Sequence, residues 1–359
     1  MSFCSRVMGR KSTSSKSTSK NESETSVADG TSGDEVESET WIDTDGDGDM
    51  DSMKEDNIKS GFIAGSSFTH RDDLRQSIEK MADESAESTE KASGDEGGKD
   101  EDDAHSWKHI DESTFSLRIG PNYSRTGAKA PSGQSLFELV GIDCVQCSAR
   151  IDNIGSKVSF PNEWTDVVTH NEFVEPIFIV NAQIPSNFTT SLFETISDGP
   201  GWSLVHYFRI RPEVAASYAN NMETASNAAK LFADYCKEAP AKLTDSYSPW
   251  YGRFKICIRC DNIDEFGLPS FITSYNAKPV LIRNTGSLHR GTNYMEMDIN
   301  VHEFGTVPKK ALSIMLKNFE HMRLCTGFCI ESRQDAEMPE TLLGCAGIIK
   351  PNYKISPNL

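Results

Sequence analysis

The chain has 359 residues and is acidic, with 36 Lys and Arg against 54 Asp and Glu and a net charge of −18. This balance argues against a nucleic-acid-binding protein, because contacts with phosphates require clustered Lys and Arg. The sequence contains no run of eighteen apolar residues, so we expect no membrane-spanning helix.

Residues 1–106 form an acidic, Ser-rich segment that differs in composition from the rest of the chain. They hold 12 Lys and Arg against 27 Asp and Glu, whereas residues 107–359 hold 24 against 27. A segment with so few large apolar residues cannot bury enough surface to offset the entropy lost on ordering. We therefore predict a disordered tail over residues 1–106 and a single globular domain over residues 107–356.

The start of the tail, residues 2–20, is basic and rich in Ser and contains no acidic residue. Its composition is similar to that of an organelle transit peptide, but it has too few apolar residues for an amphipathic helix. A basic tail open to phosphorylation is therefore the preferred interpretation. The nine cysteines, an odd number, favour a reducing compartment over a disulfide framework. We expect a cytoplasmic protein.

From Phe115 onward, apolar and polar residues alternate in short runs, as expected for strands with one buried face. The run at 177–180 is continuously apolar, which indicates a central strand. The predicted strands cover residues 115–119, 142–151, 177–180, 202–210, 254–258, 279–283, 295–301 and 327–332.

Two segments have helical periodicity. Residues 223–238 place Ala, Phe and Tyr side chains on one stripe, and Pro240 follows as a stop. Residues 306–322 begin with Thr306 and Pro308, which are typical of a first helical turn, and carry a stripe of Leu, Met and Phe. Because most strands follow one another without an intervening helix, we predict an α+β fold. Its curved, largely antiparallel sheet would have about seven or eight strands, with two or more helices packed on it.

Two Cys-x-x-Cys pairs, Cys144 with Cys147 and Cys257 with Cys260, have the spacing of a four-cysteine zinc site. Both pairs lie in strand-like segments, where residues three apart face opposite sides of the sheet. We therefore predict buried structural thiols and no metal site at these positions.

Other chemical motifs are incomplete or missing. The acidic run 43–48 imitates the start of a calcium-binding loop, but its twelfth position is Lys54 where a bidentate Glu is needed. The sequence contains no nucleophile elbow, phosphate-binding Gly-rich loop, zinc-protease motif or kinase motif set. We predict no catalytic residue and no cofactor.

The segment Asn293–His302 alternates most clearly between apolar and polar residues. Its apolar positions predict one buried face, and the other face carries Glu296 and Asp298. One interpretation is that this polar face is exposed to water. The other is that Glu296 and Asp298, together with Arg118 from another strand, line a concavity that receives a polar head group. We take these three residues as the candidate ligand-binding residues.

Five motifs occur in the order found in one known family. The chain resembles the C-terminal domain of the plant Enhanced Disease Resistance 2 family over residues 107–351. The motifs are Phe115–Tyr123, Lys129–Pro131, Phe178–Pro185, Asn293–His302 and Met338–Gly344.

The resemblance implies a domain without a known catalytic motif. The plant relatives carry a lipid-transfer START domain and a pleckstrin-homology domain upstream of this region, and residues 1–106 are too short for either. By this analogy, a START-like helix-grip topology is one expectation for the fold. The function it implies is a non-enzymatic regulatory or ligand-binding module for a lipid or another small molecule, with peripheral contact to a membrane. The alternatives are an enzyme of unrecognised mechanism, or a protein-interaction scaffold regulated by phosphorylation of the tail, with its protein partners unknown.

Overall fold

The computed structural model describes residues 42–43, 105–188, 198–220 and 222–358, all within one compact unit that spans residues 38–359. The predicted disordered tail therefore lies outside the described residues, apart from residues 42–43 and 105–106. Of the calcium-like run 43–48, only residue 43 is described. No helix in the described ranges is long and apolar enough to cross a membrane.

The strands form two main sheets and a short ribbon. The larger sheet has six strands in the order β1-β9-β8-β12-β13-β2, the other has five in the order β10-β11-β6-β7-β5, and β3 pairs with β4. The strands are β1 (Ile42–Asp43), β2 (Ser106–Lys108), β3 (Ser116–Arg118), β4 (Lys129–Pro131), β5 (Phe137–Cys147), β6 (Ile177–Pro185), β7 (Gly201–Ile210), β8 (Phe254–Cys260), β9 (Pro279–Ile282), β10 (Gly286–Gly291), β11 (Tyr294–Asn300), β12 (Arg323–Ile330) and β13 (Leu342–Ile349).

The helices are short and lie mostly in the connections between strands. Ser226 Oγ accepts from the amide of Ala229 at 3.1 Å, and this cap starts the longest helix at Asn227, later than the sequence predicts. The segment predicted as one helix over 306–322 is α-helical only to Met315 and continues as the 3-10 turn Leu316–His321. The α-helices are α1 (Tyr123–Thr126), α2 (Asn162–Thr165), α3 (Pro212–Ser217), α4 (Asn227–Glu238), α5 (Ser270–Thr273) and α6 (Thr306–Met315).

The predicted α+β class with largely antiparallel pairing is confirmed, and β6 and β11 are the two interior strands that pair in parallel. The strands divide between two sheets where the prediction had one, because periodicity identifies strands but not their partners. Strands β1, β2, β4, β10 and β13 were not predicted. The START-like helix-grip topology stays a prediction.

The two main sheets pack face to face. Aromatic rings from the two sheets meet at their interface, with centroids 6.3 Å apart for Phe178 and Phe254 and 5.8 Å apart for Phe208 and Phe328. The segment 148–166 covers the outer face of the five-stranded sheet, and the β3–β4 ribbon covers the outer face of the six-stranded sheet. Each sheet is therefore buried on both faces over much of its area.

Candidate functional site

An apolar cavity of about 410 Å³ lies between the two main sheets, toward the ends of β6 and β8. Its volume is within the range of small-molecule pockets, and its walls are almost wholly aliphatic and aromatic. The sheets contribute Ala182, Ile184, Leu204, His206, Ile256, Ile258, Leu324, Thr326, Phe328 and Ile348. The segments that cover the cavity contribute Phe271, Tyr275, Val307, Pro308, Ala311, Leu312 and Met315, together with the polar residues Asn276 and Lys278.

Helix α6 covers this cavity without filling it. Val307, Ala311 and Met315 line the cavity from one stripe of the helix, yet no residue of α6 is fully buried. Lys309 lies on a different side of the helix, where its Nζ donates to the carbonyl oxygen of His302 at 3.1 Å. An amphipathic helix normally buries its apolar stripe in a packed core. Here that stripe faces a hollow.

The cavity wall contains one buried polar pair, which links the two sheets. His206 Nε2 on β7 lies 3.1 Å from Thr326 Oγ1 on β12. Burial lowers the pKa of His206 to about 4, so the imidazole is neutral near pH 7. The ring stacks parallel to Phe208 and meets Phe328 edge-on. The pair therefore adds hydrogen-bonding groups, but no charge, to an apolar surface.

The polar face of β11 is neither exposed to water nor part of this cavity. Glu296 and Asp298 are 0% and 1% exposed, which corrects the interpretation that this face meets solvent. Glu296 accepts from the amides of Ile154 at 2.9 Å and Gly155 at 2.7 Å, and Asp298 accepts from the amide of Asn153 at 2.9 Å. The two carboxyl groups thus hold the covering segment against the outer face of the five-stranded sheet.

The local sequence of that segment suits this contact. Asn153 adopts a left-handed backbone with φ 54°, a conformation that Asn tolerates better than most residues. A Cβ on Gly155 would lie 2.6 Å from the Tyr294 ring, so only glycine lets the backbone approach the sheet this closely. Sequence reasoning missed this turn, and the Asn-Ile-Gly tripeptide is the signal that marks it.

Burial also changes the protonation of this carboxyl pair. Burial and the nearby charge of Asp298 raise the pKa of Glu296 to about 9. Burial raises the pKa of Asp298 to about 6, although Asn181 donates to it at 2.8 Å and His289 Nε2 lies 2.9 Å away. At neutral pH the pair therefore retains a proton that an exposed pair would release.

Arg118 is not brought together with these carboxylates. It lies on β3, where its Nη1 donates to Glu331 at 3.1 Å and its guanidinium lies over the Tyr123 ring at 4.6 Å. The pocket that Arg118 lines contains neither Glu296 nor Asp298. The three predicted residues therefore do not form one site, and a ligand-binding role for each stays a prediction.

A buried ion pair near Arg118 was also missed. Lys255 Nζ donates to both carboxylate oxygens of Glu340, at 2.6 and 2.7 Å, and both side chains are almost fully buried. The alternation of β8 places Lys255 on the polar face of the strand, beside Cys257 and Arg259, and gives no sign of its partner. The β3–β4 ribbon covers that face, and no local pattern shows this.

The cysteine pairs lie as the sequence predicts. Cys144 packs in the core between the sheets and Cys147 in the cluster on the outer face. Likewise Cys260 packs between the sheets and Cys257 beneath the ribbon, so each pair is split across a sheet. Among the described residues, no group of three His, Cys, Asp or Glu side chains is placed to hold a metal ion.

Comparison with known proteins places this architecture in a family. No match was found among the curated proteins or the solved structures. The family model described as Protein ENHANCED DISEASE RESISTANCE 2, C-terminal matches residues 107–350. This region begins in β2 and ends directly after β13, so it contains the five-stranded sheet, the ribbon and the cavity walls. The chain belongs to the Enhanced Disease Resistance 2 C-terminal family.

Proposed function

We propose that this domain is a non-enzymatic module that binds an apolar ligand of the lipid class between its two main sheets. The observation that carries the proposal is the 410 Å³ cavity beneath α6, whose walls are mainly apolar, with His206, Asn276, Lys278 and Thr326 as their polar residues. Such a cavity could hold about a dozen water molecules by volume, but each water needs several polar partners. An acyl chain or a fused ring system matches these walls better than water does.

The covering elements supply a route for entry. Ile258 lines the cavity and is 39% exposed, which places it at an opening. The half-buried stripe of α6 is held mainly by side chains that border the hollow, so small movements of this helix would admit a ligand. We propose peripheral contact with a membrane as the source of the ligand.

The proposal is tested first with the purified full chain. Organic extraction followed by mass spectrometry should recover a lipid. A pyrene-labelled phospholipid should bind to the protein, and the recovered lipid should displace this probe. Replacing Ala311 with Trp places an indole in the cavity and should weaken probe binding by at least about tenfold, because the ligand and the indole compete for the same volume.

Ala216→Trp is the matched control, because Ala216 is an exposed helical residue on α3 outside the cavity. This variant should bind the probe as the unmodified protein does. Equal probe binding by both Trp variants, with thermal melts showing that both are folded, would rule out the cavity as the binding site.

A further inference from the structure

The polar pair in the wall of the apolar cavity has hydrogen-bonding capacity that the protein itself does not use. His206 Nε2 lies 3.1 Å from Thr326 Oγ1, and Thr326 Oγ1 also lies 3.4 Å from the carbonyl oxygen of Ala346. Within the described part of the chain, the other ring nitrogen, His206 Nδ1, is buried and has no hydrogen-bond partner. A buried polar atom without a partner carries a free-energy cost that folded proteins usually avoid.

Both tautomers of the imidazole leave Nδ1 unmatched. If Nε2 carries the hydrogen, it donates to Thr326, the Thr326 hydroxyl donates to Ala346, and Nδ1 is an acceptor. If Nδ1 carries the hydrogen, Nε2 accepts from Thr326, and Nδ1 is a donor without an acceptor among the described groups. The carbonyl oxygen of Val180 on β6 acts against burial and raises the pKa of His206, but Nδ1 forms no hydrogen bond with it by geometry.

The pair lies close to the opening of the cavity. Thr326 on β12 is the cross-strand neighbour of Ile258 on β8, the partly exposed residue that marks the opening. Adjacent strands are about 4.8 Å apart, so the pair lies roughly one strand inward from the opening. A polar group bound at His206 would therefore lie near one end of a ligand whose apolar remainder extends beneath α6.

The chemistry of the pair disfavours a charged head group at this place. Burial lowers the pKa of His206, so the imidazole is neutral near pH 7, and Thr326 carries no charge. An ionised group at this depth would lose its hydration without gaining an opposite charge from the pair. Phe208 stacks on the imidazole and Phe328 meets it edge-on, with centroids 6.1 and 5.1 Å from it. The pair therefore presents an uncharged hydrogen-bonding point with a fixed orientation.

We propose that the ligand of this cavity is a neutral lipid with one hydroxyl group near its end, a long-chain or fused-ring alcohol, and that this hydroxyl binds His206 Nδ1. The inference rests on the proposed function and narrows its ligand class. A hydroxyl both donates and accepts, so it is matched to Nδ1 in either tautomer. A hydrocarbon of the same shape would leave this nitrogen buried and unpaired, and sites of this kind discriminate against such analogues.

The test compares 1-hexadecanol with hexadecane as competitors of the pyrene-labelled phospholipid on the purified full chain. His206→Phe keeps an aromatic ring but removes both nitrogens, so the preference for the alcohol over the alkane should fall at least about tenfold. Thr285→Val is the matched control, because Thr285 is buried and does not line the cavity, and it should keep the wild-type preference.

Nitrogen NMR of the imidazole gives a second measurement, on the wild-type protein, that does not depend on the folding of His206→Phe. The alcohol should shift the Nδ1 resonance, and the alkane should leave it unchanged. An equal preference in wild type and His206→Phe, or an Nδ1 resonance that the alcohol does not shift, would overturn the hydroxyl assignment. So would stronger competition by hexadecanoate than by the alcohol.

These failures are distinct from failure of the proposed function. If the pyrene probe binds and Ala311→Trp weakens its binding, the cavity remains a lipid site even where the alcohol and the alkane compete equally. If neither the probe nor any competitor binds, the proposed function and the hydroxyl assignment are both rejected. A preference for the alcohol that is lost in His206→Phe and kept in Thr285→Val supports both.

Discussion

Glu296 and Asp298 lie two residues apart on β11, and their carboxyl groups are buried against the segment 148–166. Because burial raises their pKa values, the stability of this contact should depend on pH. A carboxyl group whose pKa is raised on folding keeps its proton in the folded state after the unfolded chain has lost it. Its stabilising contribution is full at pH values below the unfolded pKa and is lost as the pH rises through the folded pKa. For Glu296 that interval runs from the ordinary value of 4.5 to about 9.

We therefore expect the free energy of unfolding of the wild-type protein to fall between about pH 6 and pH 9 relative to that of Glu296→Gln. The amide cannot ionise, so the variant lacks this dependence. The difference should be at least about 1.4 kcal/mol, the equivalent of one pKa unit. Urea titrations at several pH values measure it, and Glu213→Gln on the exposed start of α3 is the control.

Parallel pH profiles for wild type and Glu296→Gln would show that the carboxyl pair does not retain its proton.

The same variants, with Asp298→Asn, can be melted with and without a lipid mixture. A loss of the ligand-induced shift in melting temperature would support the predicted ligand role of Glu296 and Asp298. The geometry favours a structural role, because their oxygens already accept backbone N–H groups.

At the scale of elements, strands with clear alternation could be predicted from sequence and strands without it could not. In segments 202–210 and 254–258, apolar residues either alternate with polar ones or form a continuous run between turn residues, and both segments are strands. In contrast, β13 is uniformly apolar and contains Gly344 and Gly347, which local reasoning does not assign to a strand. Its pairing between β12 and β2 is set by contacts distant in sequence.

The candidate site was predictable only in part, for a related reason. The stripe of Leu312 and Met315 predicts a helix that covers a sheet, and α6 does so. Whether such a helix seals a core or leaves a hollow depends on the summed volumes of side chains from several strands. Likewise, the charge pattern of β8 gives no sign that the ribbon covers Lys255. These outcomes depend on packing, which periodicity does not encode.

The glycines of β13 are expected to be required by packing. A Cβ on Gly344 would lie 2.5 Å from the Phe208 ring of the facing sheet, closer than real contacts allow. Gly344→Ala should therefore lower the free energy of unfolding by about 1–3 kcal/mol, as overpacked core positions do. Gly133→Ala is the matched control, because no atom lies within 4 Å of its added Cβ. Equal urea midpoints for the two variants would show that the sheets separate at little cost.

For the whole molecule, the domain should fold without the tail. Before Ala104, the only strand in the described structure is β1, two residues paired with the β9 edge of the six-stranded sheet. A two-residue edge strand contributes little to a sheet of this size. A chain beginning at Ala104 should therefore melt within about 2 °C of the full chain, a difference of less than about 1 kcal/mol for a domain of this length. A larger drop would reveal packing of the tail on the domain.

The position of β13 in the six-stranded sheet also bears on how the protein is made. Among the described residues, strand β2 near the start of the domain pairs only with β13, whose residues Gly347–Ile349 are among the last of the domain to be synthesised. During translation, β2 and one edge of β12 remain unpaired until β13 has been synthesised. Unpaired strand edges of this kind can pair with other chains and cause aggregation. Nascent chains that stop short of residue 342 should therefore depend on chaperones, whereas addition of β13 closes both edges at once.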